Sequence, residues 1–431
     1  MIRGFTTWGR TCAAAARSNG VGAQEIVPGR AMDTTKGGTA SRAAVVVPAL
    51  LCVLAVPGGA AAQERLGEVL SFLLTNRSIV TDDFQRDEAA ALATRDALSR
   101  ALQIELATLP ISSSSGGFTY RFNPALGTTE RSSDSFGSFF VERALTAGRG
   151  QASFGVNVRY AQFEAIDGND LENGSFVTTA NVFTDEAVPF DLEALTLRLE
   201  AQTLTVFASV GATDRIDLGV AVPIVRLRLE GSRTNVFRGQ STLQARASAE
   251  VVGLADLAIR GKIRLVGRRA SGLALAGEVR VPTGAEEDLL GAGRTAFKGT
   301  VIASAEGSRV GAHLNVGYGS GGVSDEIDLA AGLTVAATAR FTLVAEVFGR
   351  ELDALGRLEP VALPHPTIRG VNTIRLAPAS EGTRSAFAVG GFKWNIGSSW
   401  LLNGNLLVPL TDRGLRANLV PTVALDYSFG R

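Results

Sequence analysis

From about residue 118 to its end, the chain alternates apolar and polar positions with a period of two. In SFGVNVRY, Phe154, Val156, Val158 and Tyr160 share one side, and Gly155, Asn157 and Arg159 share the other. RVGAHLNVGYG sets Val310, Ala312, Leu314, Val316 and Tyr318 against Gly311, His313, Asn315 and Gly317. EIDLAAGLTV repeats the pattern from Ile327 to Val335. Such alternation marks strands with two unlike faces. Similar segments lie near 138–146, 192–210, 215–230, 254–267, 272–283, 296–306, 340–350, 385–396, 399–411 and 416–429. With a short FTYRF strand at 118–122 the count is about 14 strands, 12 being the alternative. Upstream, residues 63–107 change to helical spacing. RLGEVLSFLL carries an apolar stripe, and Thr81 and Asp82 are capping residues before an Ala-rich run that places Leu98 and Leu102 on one face. SSSSGG at 112–117 reads as a linker.

The connections differ systematically in length. Short turns stand near 146, 211, 267, 307, 338 and 397; long loops cover 165–190, 231–252, 284–295 and 351–383. Short turns at one rim and long loops at the other predict an all-β fold, an antiparallel transmembrane outer-membrane β-barrel preceded by a helical segment. Many strands reach the ten or so residues needed to cross a bilayer at a tilt, longer than a soluble sandwich requires. Aromatic residues gather beside the short turns: Phe154, Phe207, Phe341, Trp394, Trp400, Tyr427 and Phe429. They are the candidate girdle, of which Phe154, Phe341, Trp394, Trp400, Tyr427 and Phe429 are the principal members; Tyr160, Phe297 and Tyr318 are candidates at the opposite rim.

Composition refines this outline. The chain has 431 residues, with 42 Lys plus Arg balancing 42 Asp plus Glu, so nothing in its charge draws nucleic acid. The apolar run AAVVVPALLCVLAVP at 43–57 follows Lys36 and Arg42 and is trailed by small residues. It reads as a secretory leader over 32–62 cut after Ala62, too short for a spanning helix. Residues 1–31 read as an upstream extension foreign to the native chain, with Met32 as the start. Cys12 and Cys52 both precede the cut, so a disulfide framework and a thiolate metal site are not expected. The expected division is then 63–116, a helical segment and linker able to plug the lumen, and 117–431, the barrel.

In a barrel the polar phase faces the lumen. The candidate lining residues are Arg159, Arg260, Lys262, Arg264, Glu278, Arg280, His313 and Glu346. The same assignment takes in Arg198, Glu200, Asp217, Arg226, Arg228, Glu230, Lys298, Glu306, Arg350 and Asp426. These charges either pair across strands or form a ladder for a solute. No spacing suggests a nucleophile with a base, a metal centre or a cofactor site. His313 sits mid-strand between glycines, and His365 lies in LPHPT, held extended by prolines.

Four stretches carry a family resemblance: GLADLAIRGKIRL at 253–265, VRVPTGAEEDLLGAG at 279–293, SDSFGSFFVERAL at 133–145, and the DYSF ending. They resemble the outer-membrane β-barrel family named for the meta-pathway of phenol degradation, and the likeness covers most of the barrel. It implies a channel distantly like the fatty-acid and aromatic-hydrocarbon transporters of the outer membrane, with fourteen strands and an N-terminal plug. The expected function is a passive channel for small, hydrophobic or aromatic solutes. The alternative is a structural or adhesive barrel with a plugged lumen and partner-binding loops. Asp256 and Thr283 fall at the long-loop mouth, where they either hold a ligand or fix loop geometry. The expected partners are outer-membrane lipid, a small-molecule solute and the barrel-assembly machinery. The final strand resembles the signal that machinery reads, although Gly430 and Arg431 follow its last aromatic.

Overall fold

The computed structural model describes residues 65–74, 84–108, 117–123, 128–268, 271–353, 357–379 and 382–430. The expected upstream extension, the leader and the linker residues 112–116 lie outside these. Helix α1 (Leu66–Leu74) is followed by α2 (Phe84–Thr108). Strands β1 (Tyr120–Asn123) and β2 (Thr128–Arg131) pair only with each other. Then come β3 (Gln151–Ile166), β4 (Asn169–Asp170), β5 (Phe176–Phe183), β6 (Asp191–Gly211), β7 (Ile216–Phe237), β8 (Gln240–Leu254) and β9 (Leu257–Arg268). β10 (Ser271–Val281), β11 (Ala296–Glu306), β12 (Val310–Gly321), β13 (Glu326–Thr338) and β14 (Phe341–Leu352) follow as long hairpins. β15 (Leu358–Pro364), β16 (Val371–Pro378), β17 (Thr383–Gly397), β18 (Trp400–Pro409), β19 (Leu415–Ala417) and β20 (Val420–Gly430) complete the chain.

The sheet closes on itself. Its shortest circuit runs β3–β6–β7–β9–β10–β11–β12–β13–β14–β17–β18–β20, twelve antiparallel strands, with β20 returning to β3 from Thr422↔Arg159 to Gly430↔Gln151. β4, β5, β8, β15, β16 and β19 extend the long-loop rim, where β16 pairs with β5. The expectation of fourteen strands is therefore corrected to the alternative of twelve. The segments at 118–122 and 138–146 are outside the ring, and removing those two from the count leaves twelve. The reason is visible in SFFVERALT. Phe139 and Phe140 are adjacent, so both faces carry apolar residues, and the segment is covered on both sides instead of presenting one face outward.

Around the ring, side chains alternate as the pleat dictates. On β12, Val310, Leu314, Val316 and Tyr318 point out and are about half exposed, whereas His313 and Asn315 point in and are buried. Val301, Val316 and Leu329 form one outward row across β11, β12 and β13. Near the short turns Phe341 lies opposite Trp394, and Tyr427 lies opposite both Trp400 and Phe154. Trp400 and Tyr427 rings are 4.7 Å apart, and Tyr427 stacks on Phe429 at 6.0 Å. Phe207 departs from the expected girdle. It turns inward across Gly155, where any Cβ would strike its ring.

Beyond the outward apolar band, β6 and β7 reverse their chemistry. Leu195, Leu197, Leu199, Val225, Leu227 and Leu229 are fully buried on the inner face. Arg198, Glu200, Arg226, Arg228 and Glu230 are outside, not in the lumen as their alternation had indicated. The phase is constant along each strand; what changes is the surroundings. The inner face here packs against the helices, and it must be apolar to match them. Leu66, Val69, Leu70, Leu73 and Leu74 form the buried stripe of α1, at the spacing of one helix face. Ala97, Leu98, Ala101, Leu102 and Ile104 of α2 join them in the same core.

Candidate functional site

Twelve strands enclose more space than wall side chains fill. Residues 132–150 occupy part of it as an extended strap that belongs to no sheet. From Ser135 to Gly148 every residue is buried except Phe140 and Glu142, which are half-buried. With no ladder, the strap's backbone groups need other partners, and ionisable wall residues supply them. The Glu346 carboxylate accepts the N–H of Phe139 at 2.5 Å and of Phe140 at 3.1 Å. Lys393 Nζ donates to the carbonyls of Ser138 (2.6 Å) and Phe136 (3.5 Å). Asp217 accepts the Ala147 N–H at 3.0 Å, and Lys262 Nζ donates to the Arg143 carbonyl at 3.3 Å.

Neutral side chains continue the grip. Phe136 N–H donates to Thr342 Oγ1 at 3.2 Å, and Ala144 N–H donates to Ser304 Oγ at 2.8 Å. In the amide orientation that satisfies both of its groups, Asn315 brackets Glu142, accepting from its N–H at 2.6 Å and donating to its carbonyl at 3.0 Å. His313 Nδ1 lies 3.0 Å from Ser304 Oγ, behind that contact. Arg143 is 1% exposed and donates to the Gly117 carbonyl at 3.2 Å. Burial pulls its pKa down, and nearby Glu306 opposes the shift. Gly137 rests against the guanidinium with φ at +71°; a Cβ there would sit 2.9 Å from Arg143 Cζ.

On the long-loop side of the strap is a cavity of about 100 Å³ with Phe140 and Glu142 at its floor. Arg260, Glu278, Arg280, Lys298, Glu326, Asp328, Phe348 and Arg350 also line it. The charges pair around the wall. Arg260 bonds Glu278, Arg280 Nε donates to Glu278 Oε1 at 2.6 Å, and Lys298 reaches Glu326 (2.9 Å) and Asp328 (2.7 Å). Arg350 pairs with Glu105 of α2. Burial raises the Glu105 pKa, with Arg350 acting against it. A wider space of about 700 Å³ opens between α1, α2 and loop 284–295, with Arg65, Glu68, Arg95, Arg100, Glu286 and Arg294 on its walls.

Of the principal lining candidates, Arg159 and Arg264 are also inside the ring. Arg159 stands between Thr422 and Thr203, and Arg264 donates to the Ser271 carbonyl at the short-turn rim. Asp256 and Thr283 are adjacent, and their contacts are to protein. Asp256 accepts the N–H of Gly284 (3.1 Å) and Ala292 (2.8 Å); Thr283 Oγ1 donates to Ala255 and accepts from Leu257. Asp256→Ala should therefore loosen loop 284–292 at a cost of about 1–3 kcal/mol. Hydrogen exchange at the Gly284 and Ala292 amides measures it, with the barrel amides as the internal reference. His365 holds its turn, Nδ1 accepting from Thr367 and Ile368 at 3.2 and 3.1 Å. Sequence reasoning did not single out Lys393, Thr342, Ser304 or Asn315 as strap ligands. The signal lay in the strap, whose paired phenylalanines leave it no outward face.

No family model matches the chain, and neither does any curated protein. Among solved structures, an outer-membrane channel from Pseudomonas putida F1 aligns with 66% of this chain and 98% of its own, at 12% identity and a TM-score of 0.44. A Pseudomonas aeruginosa FadL homologue covers 67% of this chain and 91% of its own at 11% identity and 0.33. The CymD monoaromatic hydrocarbon channel covers 66% and 90% at 7% identity and 0.25. With all three scores below 0.5, the functional reading rests on this chain's own geometry.

Proposed function

We propose that the chain is an outer-membrane barrel that acts as a passive channel for small solutes with a hydrophobic or aromatic part. In this conformation the strap and helices close its lumen. One observation carries the reading: a closed ring whose outer face is a continuous apolar belt and whose inner face holds, through wall side chains, the backbone of a strap that belongs to no sheet. An exposed apolar band of this extent is foreign to a soluble monomer, and closure leaves no unpaired edge for lipid to meet. Phe140 and Phe348, with ring centroids 6.2 Å apart, give the cavity an aromatic part beside its paired charges, which supports a small solute with an apolar part. The grip supports a movable plug. Asp217 and Lys262 are cross-strand partners 3.5 Å apart, so they stay paired when the strap leaves.

The second reading, a structural or adhesive barrel, is favoured by the burial of the strap along nearly its whole length. Single-channel recording on the refolded chain separates the two. A channel shows brief openings whose frequency rises when residues 63–116 are removed. Silence in both forms, together with no uptake into vesicles, favours the structural barrel.

A further inference from the structure

Just beyond the apolar belt, the outer face of β6, β7 and β8 carries a checkerboard of charge. Arg198 lies opposite Glu230 and Glu200 opposite Arg228 across β6 and β7; Glu250 continues the Arg228 row on β8. The boundary is abrupt. On β7 the last apolar outward residue is Ile224 and the next outward residue is Arg226; on β6 Leu204 gives way to Gln202 and Glu200. Arg198, Glu200, Arg228 and Glu230 enclose a recess of about 130 Å³. The side chains of Arg198 and Arg228 are 56% and 52% exposed; Arg198 Nε donates to Glu200 at 2.8 Å and Arg228 bonds Glu230, so each arginine reaches the recess with part of its guanidinium engaged by a carboxylate on its own strand. Exposed ion pairs of this kind add little stability, so stability alone does not account for the array.

We propose that this recess docks the phosphate of a phosphorylated membrane lipid, an inference that rests on the membrane reading above. Arg198 and Arg228 take phosphate oxygens through paired N–H groups, the geometry for which arginine is suited. Glu200 and Glu230 hold a divalent cation shared with the same phosphate, which offsets their repulsion of it. The height is that of headgroups, directly above the hydrocarbon-facing residues Ile224 and Leu204, and this favours a lipid over a soluble anion.

The test uses the full chain refolded into nanodiscs containing diphosphoryl lipid A, its dephosphorylated form and magnesium, with retained lipid counted by native mass spectrometry. The parent should retain the phosphorylated form preferentially. The double variant R198Q/R228Q should lose that preference by about tenfold, and chelation of magnesium should reduce it in the parent. A heat-modifiable band on gels checks that the variant barrel is folded. Equal retention by parent and variant overturns the proposal. Displacement of the lipid by an equal concentration of inorganic phosphate overturns the lipid assignment. A chain that does not insert into bilayers removes the membrane reading and this site with it.

Discussion

Replacing Lys393 with Met should convert a closed barrel into one that conducts in frequent bursts. Lys393 donates to two strap carbonyls, those of Phe136 and Ser138, and its ammonium also lies 5.3 Å from the Phe139 ring. Its removal orphans those carbonyls and leaves Glu346, buried and holding the next two amides, without the nearby positive charge. Breaking such a buried arrangement costs about 3–5 kcal/mol. At about 1.4 kcal/mol per tenfold, the strap-released population rises at least a hundredfold. Amide exchange at 135–147 should accelerate by the same factor, since release and protection share one equilibrium. A staple checks that the strap is the gate. A Cβ on Gly332 would stand 3.1 Å from Ser138 Oγ, close to the separation a disulfide needs. Adding S138C/G332C to the Lys393→Met chain should silence it when oxidised and restore bursts on reduction. Unchanged conductance together with unchanged exchange in Lys393→Met would show a permanent plug.

The ring was legible because its code is local. Each strand in contact with two unlike surroundings writes a period of two, and turn lengths alone divided the rims. Within the belt, which side chains point out and which point in followed from the same alternation, as Val316 and Asn315 on β12 illustrate. Two things depended on information that no strand carries. The first is whether an extended segment joins the ring. SDSFGSFFVERAL is extended and apolar enough to pass for a strand, and only the wall ligands that bind its backbone, drawn from β7, β9, β11, β12, β14 and β17, reveal it as a strap. The second is what lies across the inner face at a given height. Arg228 and Leu229 alternate as lumen-polar and lipid-apolar would, but α1 and α2 reverse the meaning of inside at that level. Substituting helix for water in the lumen leaves the sequence period untouched, so periodicity is blind to it. The mouth pair lies between these cases. Proximity of Asp256 and Thr283 followed from strand order, whereas their role as loop fasteners required the amides of Gly284 and Ala292 to be seen.

Leu314→Arg should destabilise the inserted barrel by about 2–4 kcal/mol, the cost of a cation at mid-depth on a lipid-facing strand. Leu314 is 47% exposed on the outer face of β12, opposite Ala303 and Ala331, with apolar Val301, Leu329 and Leu333 also outward on the neighbouring strands. No carboxylate is on that face within the same rows, so an arginine there has to reach the interface by bending along the barrel wall or draw water inward. Tyr318, four residues nearer the long-loop rim, is the matched control. Tyr318→Arg should cost only about 0–1 kcal/mol, because near the interface the guanidinium is hydrated. Equilibrium urea unfolding in vesicles reads both values, and the gradient between them is the informative quantity. The sign also discriminates. Were this face bathed in water, Leu314→Arg would replace an exposed apolar side chain by a soluble one, and its effect would stay within about 0.5 kcal/mol as at other surface sites. A steep dependence on depth is what a bilayer imposes and what water cannot. The same two substitutions should leave hydrogen exchange of the strap unchanged in the inserted fraction, since they act on the outer face and the Glu346 and Lys393 grip lies wholly within.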